Sequence, residues 1–244
     1  MKTVSPKRQK LQKSYFIIKV DLMKIQDELR EYLINEGASD VGFCRIDDGD
    51  FGECRYGISI VVHLSDAIVD EIGAEPTHTY FNHYRSVNAF IDSLLFKGGN
   101  FLQSRGYKYI TVAASQSINK DGWNYMGRYS HKKVAALSGL GTIGKSSMFL
   151  HENYGSNVRL GSIFTDCEFD VSNVKPVSLC KDCDRCVKAC PSGAIKGTEW
   201  SIDSERDDMF DPEKCSNYMK THFKHIGRGA VCGICMKVCP YAKN

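Results

Sequence analysis

Eight cysteines fall between positions 180 and 239 of this 244-residue chain, and their spacing limits what it can fold into more than any other feature does. Four stand in "LCKDCDRCVKACPSGAI" as Cys180, Cys183, Cys186 and Cys190, with Pro191 directly after the last. Cys215 stands alone, and Cys232, Cys235 and Cys239 follow in "CGICMKVCP". The remaining three, Cys44, Cys54 and Cys167, are scattered. No secretory leader is expected, because "YFIIKV" is too short for an apolar signal core and Lys19 interrupts it. Eleven cysteines in a leaderless chain point to metal rather than to a disulfide framework. No run approaches the roughly 18 apolar residues that a membrane span needs, so a cytoplasmic protein without membrane contact is expected.

The first four cysteines form C-x2-C-x2-C-x3-C-P, the bacterial ferredoxin run, in which three thiolates hold one cubane and the fourth crosses to another. Two residues between cysteines let a tight loop wrap one cluster, and the x3 spacing turns the next sulfur away. Eight thiolates match two [4Fe–4S] clusters. Cys180, Cys183, Cys186 and Cys239 are expected on one, and Cys190, Cys215, Cys232 and Cys235 on the other. Zinc is the alternative, since two C-x2-C pairs could make a four-thiolate site. It would leave the other cysteines and both Cys-Pro endings unexplained. Cys44 and Cys167 read as small buried residues.

A chain of this length buries a core without staples, and its net charge of +3 is too small to argue for nucleic acid. Only the N-terminus is lopsided, with Lys2, Lys7, Arg8, Lys10, Lys13 and Lys19 ahead of Asp21. Three segments are expected: a frayed basic extension (1–20), an α/β domain (21–170) and a double-cluster module (171–244). Leu22, Ile25, Leu29 and Leu33 share one helix face behind a cap at Asp21, ending at Gly37. A second helical series runs from Tyr80 to Gly106, and "SHKKVAAL" is a short helix capped by Ser130. "VGFCRI", "GISIVVHL", "YKYITVAA" and "VRLGSIFTD" read as strands. The fold expected is an α/β (α+β) sandwich followed by a bacterial-ferredoxin-like module.

"GLGTIGKS", Gly139 to Ser146, fits the phosphate-loop pattern G-x4-G-K-[ST], with Lys145 for phosphates and Ser146 for magnesium. That pattern needs a strand before the loop and a helix after it. Here a helical segment precedes it and a strand and turn follow. A glycine-rich loop closing over another large ligand is the preferred reading.

The stretch "ALSGLGTIGKSSMFLHENYGSNVRLGSIFTD", the ferredoxin run, the isolated Cys215 and "CGICMKVCP" together resemble the catalytic half of epoxyqueuosine reductases. That resemblance implies a cobalamin-dependent enzyme with two clusters, related to reductive dehalogenases. It is dense from about Ala136 to Pro240 and thinner from Tyr80 to Trp123. It implies that Gly139, Gly141, Gly144, Lys145 and Ser146 lie against a corrinoid held without an axial protein ligand. None of the seven histidines has an Asp two residues before it, so the usual histidine-ligand cobalamin motif is absent. Where the family has G-R-D-Y-H with a catalytic aspartate, this chain has "FNHYR", which sets His83 at the acid's place and Tyr84 at the tyrosine's. His83 reads as a general acid or equally as a packing histidine, and Tyr84 as a proton donor or as part of the helix's core stripe. Lys145 and Arg159 read as counter-charges to the corrinoid or as solvated side chains. Trp123 and Tyr125 read as pocket lining or as core. The family's tRNA-acting members continue into a helical-repeat tail, whereas this chain stops at Asn244, which counts against tRNA binding.

The function expected is an iron–sulfur reductase passing low-potential electrons through two clusters to a corrinoid, which acts on a small-molecule substrate. Its electron donor would be of ferredoxin or flavodoxin type. A ferredoxin-like carrier serving a partner corrinoid protein is the first alternative, and an ATP-coupled reductase using the Gly139–Ser146 loop is the second.

Overall fold

The computed structural model describes residues 24–118, 122, 125–171 and 174–242. The basic extension, the Asp21 cap, Leu22 and Trp123 lie outside them. Helix α1 runs through residues 24–35 and closes at Gly37, whose φ of 105° is the left-handed turn a glycine supplies at a helix end. Strands β1 (Asp40–Arg45) and β2 (Tyr56–His63) follow, then α2 (Asp66–Asp70) and the long α3 (His78–Gln103). Next come β3 (Tyr109–Val112), α4 (His131–Leu137), the hairpin strands β4 (Gly141–Ile143) and β5 (Phe149–His151), and β6 (Val158–Thr165). Thr77 caps α3 by accepting from Tyr80 N, and Ser130 caps α4 by accepting from Lys133 N.

The main sheet has the order β1-β2-β6-β3, and every neighbour pair is antiparallel. The strand–helix alternation in the sequence therefore builds a mixed α/β fold without a parallel crossover. Strand β2 is central and buried along its length, so alternate side chains serve two apolar layers. Ile58, Ile60 and Ile163 pack with Leu29 and Leu33 of α1 and Ile91 and Leu94 of α3. Cys44 and Phe164 meet Val134 and Leu137 of α4. Gly161 marks the closest approach of α3, because a Cβ there would stand 2.5 Å from Ile91 Cγ2.

The cysteine-rich segment adds the short helices α5 (Arg185–Ala189), α6 (Arg206–Met209), α7 (Pro212–His222) and α8 (Ile234–Lys237). It is packed onto the sheet half rather than tethered to it. Phe223, Val231, Ile234 and Met236 belong to the same apolar cluster as Ile60 and Ile91. Gly155 lets the C-terminal chain cross, since a Cβ there would fall 1.3 Å from Tyr241 O. Among the described residues no helix is long and apolar enough to cross a membrane.

Candidate redox site

The eight clustered thiols separate into two neighbourhoods. Burial pushes the Cys186 thiol up to about 11, and Cys180, Cys239 and Cys183 stand near enough to add to the rise. Burial likewise pushes Cys215 up to about 12, and the thiols beside it are Cys232 and Cys190. Cys235 is raised by burial and then by Cys232, Cys215 and Cys190 before it meets Cys186. The thiols that influence one another thus fall into two groups of four, with Cys186 also acting on Cys235. Among the described residues no three His, Cys, Asp or Glu side chains close to the spacing of a single bound ion. A cubane offers a separate iron to each thiolate, so its four sulfurs stand further apart than four on one zinc.

Backbone donors reach several of these sulfurs. Burial works to raise Cys190, but the Ser192 hydroxyl and the N–H groups of Ala194, Ile195 and Ser192 outweigh it and lower its pKa. The turn behind Pro191 is thus shaped to hold a thiolate. Lys145 N donates to Cys180 Sγ at 3.3 Å.

The glycine loop is not a phosphate loop. It is the β4–β5 hairpin, with a strand where a phosphate loop needs a helix. Lys145 Nζ donates to the Lys181 carbonyl and lies 3.8 Å from Glu199 Oε1, so it is turned toward the cysteine run. Ser146 Oγ accepts from Met148 N. Gly139 has φ 79° just beyond α4, and Gly141 has φ 153° with its missing Cβ only 2.0 Å from Leu150 O. A Cβ on Gly144 would stand 2.9 Å from Leu150 Cδ1 and 3.3 Å from Cys180 Sγ. The glycines answer to hairpin closure and to the approach of Cys180. Gly139, Gly141, Gly144, Lys145 and Ser146 do not line the large cavity beside the loop, whereas Ile143, Ser147, Met148 and Phe149 do.

That cavity holds about 820 Å³ between the hairpin, the start of α4, β6 and residues 200–209. Its polar wall carries His131, Lys132 and Arg159, with Arg206 opposite, and Tyr125 also borders it. His131 Nδ1 lies 2.9 Å from Ser162 Oγ and Nε2 lies 3.1 Å from Ala113 O. The carbonyl can only accept, so Nε2 carries the proton and Nδ1 accepts from the serine. Burial pushes this imidazole down to about 4. Both ring nitrogens are therefore committed, and His131 offers none to a metal in the cavity.

His83 and Tyr84 point to different places. His83 Nε2 accepts from Ser65 N at 3.1 Å, and burial lowers its pKa, so it serves as a neutral acceptor that pins the start of α2. Neither it nor Tyr84 borders the cavity. Tyr84 OH lies 3.2 Å from Ser115 Oγ and accepts from Arg159 Nη2 at 3.2 Å. Burial acts to raise this phenol, but the Arg159 guanidinium and hydrogen bonds to Ser115, Asn88 and Arg159 outweigh it, and its pKa is lowered. Behind it, Tyr80 stands between Tyr84 and the second thiol set. Its ring centroid is 6.4 Å from that of Tyr84, and the missing Cβ of Gly233 would lie 3.0 Å from the ring.

The sequence reading missed Lys132 and Arg206. The signal for Lys132 was its place three and four residues before the buried Ala135 and Ala136, which puts it on the inward face of α4. Cys44 and Cys167 are fully buried, and burial pushes both thiols up to about 12.

Known proteins bear on this arrangement. Residues 179–242 match a 4Fe-4S double cluster binding domain. The epoxyqueuosine reductase of Lactococcus garvieae (strain Lg2) is 32% identical over 121 residues, which is 46% of this chain and 31% of that protein. A crystal structure of a selenomethionine-labelled epoxyqueuosine reductase shares the fold with a TM-score of 0.60 at 19% identity, covering 91% of this chain and 67% of that one. The catabolic reductive dehalogenase NpRdhA, solved with 3-bromo-4-hydroxybenzoic acid, aligns with a TM-score of 0.62 at 20% identity, covering 85% of this chain and 30% of that one. The chain thus matches less than a third of the length of that first curated relative. It is an α/β protein similar to the epoxyqueuosine reductases, with a 4Fe-4S double cluster binding domain over residues 179–242.

Proposed function

We propose that the chain is an iron–sulfur reductase whose two [4Fe–4S] clusters deliver electrons singly to a corrinoid in the 820 Å³ cavity. The observation that carries this reading is the adjacency of three features: paired thiol sets, a hairpin donating to Cys180, and a large cavity walled by that same hairpin. Cys180, Cys183, Cys186 and Cys239 would hold one cluster, and Cys190, Cys215, Cys232 and Cys235 the other. The first set lies under Lys145 N, and the second abuts Tyr80. One related structure is of a dehalogenase whose chemistry depends on B12.

The lining suits a corrinoid that would take no axial ligand from the protein. Its one bordering histidine has both nitrogens in use, and no cysteine borders it among the described residues. When bound, the corrinoid would supply a strongly reducing cobalt centre. The protein's part is to exclude water, order the electron path and provide a proton. We assign the proton to Tyr84 rather than His83. Its hydroxyl stands beside the wall residue Arg159, while His83 is tied to Ser65 N. The relatives' named substrates differ, being an epoxyqueuosine-modified tRNA stem loop in one case and tetrachloroethene in another. The reading for this chain is therefore confined to reduction of an organic substrate.

The test is an anaerobic UV–visible titration of cluster-reconstituted protein with hydroxocobalamin. A shift of the cobalt bands toward the form with its lower base displaced is expected. Cluster absorbance without any cobalamin-dependent change would instead make the chain an electron carrier.

A further inference from the structure

The inner wall of the cavity is short of negative charge. Lys132 Nζ donates to Ser147 O at 2.6 Å and to Ser147 Oγ at 2.9 Å, which leaves the third ammonium proton without a recorded partner among the described residues. Arg206 borders the same cavity. Desolvation, with that guanidinium adding to it, pulls Lys132 down to about 8. Arg206 is itself held in place, since Nη1 donates to Tyr125 O at 3.0 Å and Nε to Asp207. The acids bordering the cavity do not reach inward. Asp48 is taken up by Lys133 and Tyr129, and Asp203 and Glu205 are exposed. An ammonium half-buried in a cavity wall is stabilised when an anion meets it. Arg206 already has Asp207 as a counter-ion, whereas Lys132 meets only Ser147, so Lys132 is the wall cation best placed for an anion that arrives with a ligand.

We propose that Lys132 and Arg206 form the seat for a phosphate-type anion carried by the ligand that fills this cavity. Phosphate has the acceptor oxygens to meet the free ammonium proton and a guanidinium edge together. Two sources carry that chemistry. One is the phosphodiester in the nucleotide loop of a cobalamin, which rests on the corrinoid reading above. The other is a phosphate on the substrate, which does not.

The experiment uses the full chain with its clusters reconstituted and compares wild type, Lys132→Gln and Lys132→Arg. The probes are hydroxocobalamin, dicyanocobinamide, which lacks the nucleotide phosphate, and inorganic pyrophosphate. Corrinoid binding is read from cobalt absorbance and pyrophosphate binding by calorimetry. Loss of one charge-assisted hydrogen bond corresponds to a roughly 10- to 100-fold weaker Kd. If the seat holds the corrinoid's phosphodiester, Lys132→Gln weakens cobalamin by that factor, leaves cobinamide unchanged, and Lys132→Arg restores binding. If it holds a substrate phosphate, both corrinoids are indifferent to Lys132→Gln, while pyrophosphate binding is lost in it and kept in Lys132→Arg. Equal affinity of wild type and Lys132→Gln for all three probes overturns the proposal. Should wild type bind no corrinoid, the corrinoid reading fails and pyrophosphate alone decides the anion seat. If Lys132→Gln fails to fold for want of its bonds to Ser147, Arg206→Gln is measured in its place, with the same outcomes.

Discussion

The guanidinium carbon of Arg159 lies 4.3 Å from the centre of the Tyr84 ring, and the same side chain donates from Nη2 to the Tyr84 hydroxyl at 3.2 Å. Arg159 sits on β6 and Tyr84 on α3, so the contact joins the sheet to the helix that packs on it. Asn88 Oδ1 accepts from Arg159 Nε at 2.9 Å and Ala114 O from Nη2 at 3.2 Å, which fixes the guanidinium plane. A cation so placed favours the phenolate and makes the phenol a better acid.

Tyr84 should therefore titrate below the ordinary tyrosine range, and removing Arg159 should move it back up. The phenol donates only while protonated, so its contribution is present at neutral pH and lost as pH rises through its lowered pKa. Alkaline difference spectra of wild type against Tyr84→Phe, repeated in the Arg159→Gln background, read this without a substrate. With a substrate in hand, Tyr84→Phe should cost roughly 10²–10⁴-fold in turnover while corrinoid and iron are retained. A Tyr84 that titrates at the ordinary value despite Arg159 would remove the basis for its role.

Cys215→Ala should remove one cluster selectively, lowering iron from about eight to about four per chain. Cys183→Ala should remove the other. Iron and sulfide analysis with electron paramagnetic resonance distinguishes the two losses. Iron near eight in Cys215→Ala would break the ligand assignment.

His131 is held neutral, with a pKa near 4 in the fold against 6.5 in an unfolded chain. Below pH 6.5 the unfolded chain takes up the proton first, so this group's stabilisation is complete above that pH. It is lost progressively down to about pH 4. The two limits differ by about 3 kcal/mol. Urea midpoints at pH 7 and pH 4.5 should fall further for wild type than for His131→Gln, and equal falls would show that His131 is not the titrating group.

Gly155→Ala should be severely destabilising. The residue has φ 51°, which costs a side-chain-bearing residue about 1–2 kcal/mol, and its Cβ would overlap the Tyr241 carbonyl outright. The C-terminal crossing carrying Cys239 would have to move, so a lower denaturation midpoint and loss of iron are expected together. Gly52→Ala provides the control. It too has a positive φ, 61°, but nothing lies within 4 Å of its Cβ position, so it should cost only the conformational part.

Local rules on the chain determined a good deal. The helical period from Tyr80 onward, the Ser130 cap and the four strand segments all correspond to elements of the fold, because apolar spacing and capping act over a few residues. The C-x2-C-x2-C-x3-C-P run, too, is a local pattern, and residues 179–242 match a double cluster binding domain. What the sequence could not decide was which neighbours distant segments acquire. "GLGTIGKS" carries the letters of a phosphate loop, but only the pairing of β4 with β5 turns Lys145 to the Lys181 carbonyl and leaves Ser147 to face the cavity. Adjacent letters at His83 and Tyr84 diverge because successive positions on a helix point about 100° apart, one toward Ser65 and the other toward Arg159. Nothing in "SHKKVAAL" singles out Lys132 as a cavity residue, and only the packing of α4 on the sheet puts it on the wall of a cavity that Arg206, 74 residues further along the chain, also borders. Charge, burial and reach at the candidate site are properties of long-range contacts, and those are set by tertiary packing.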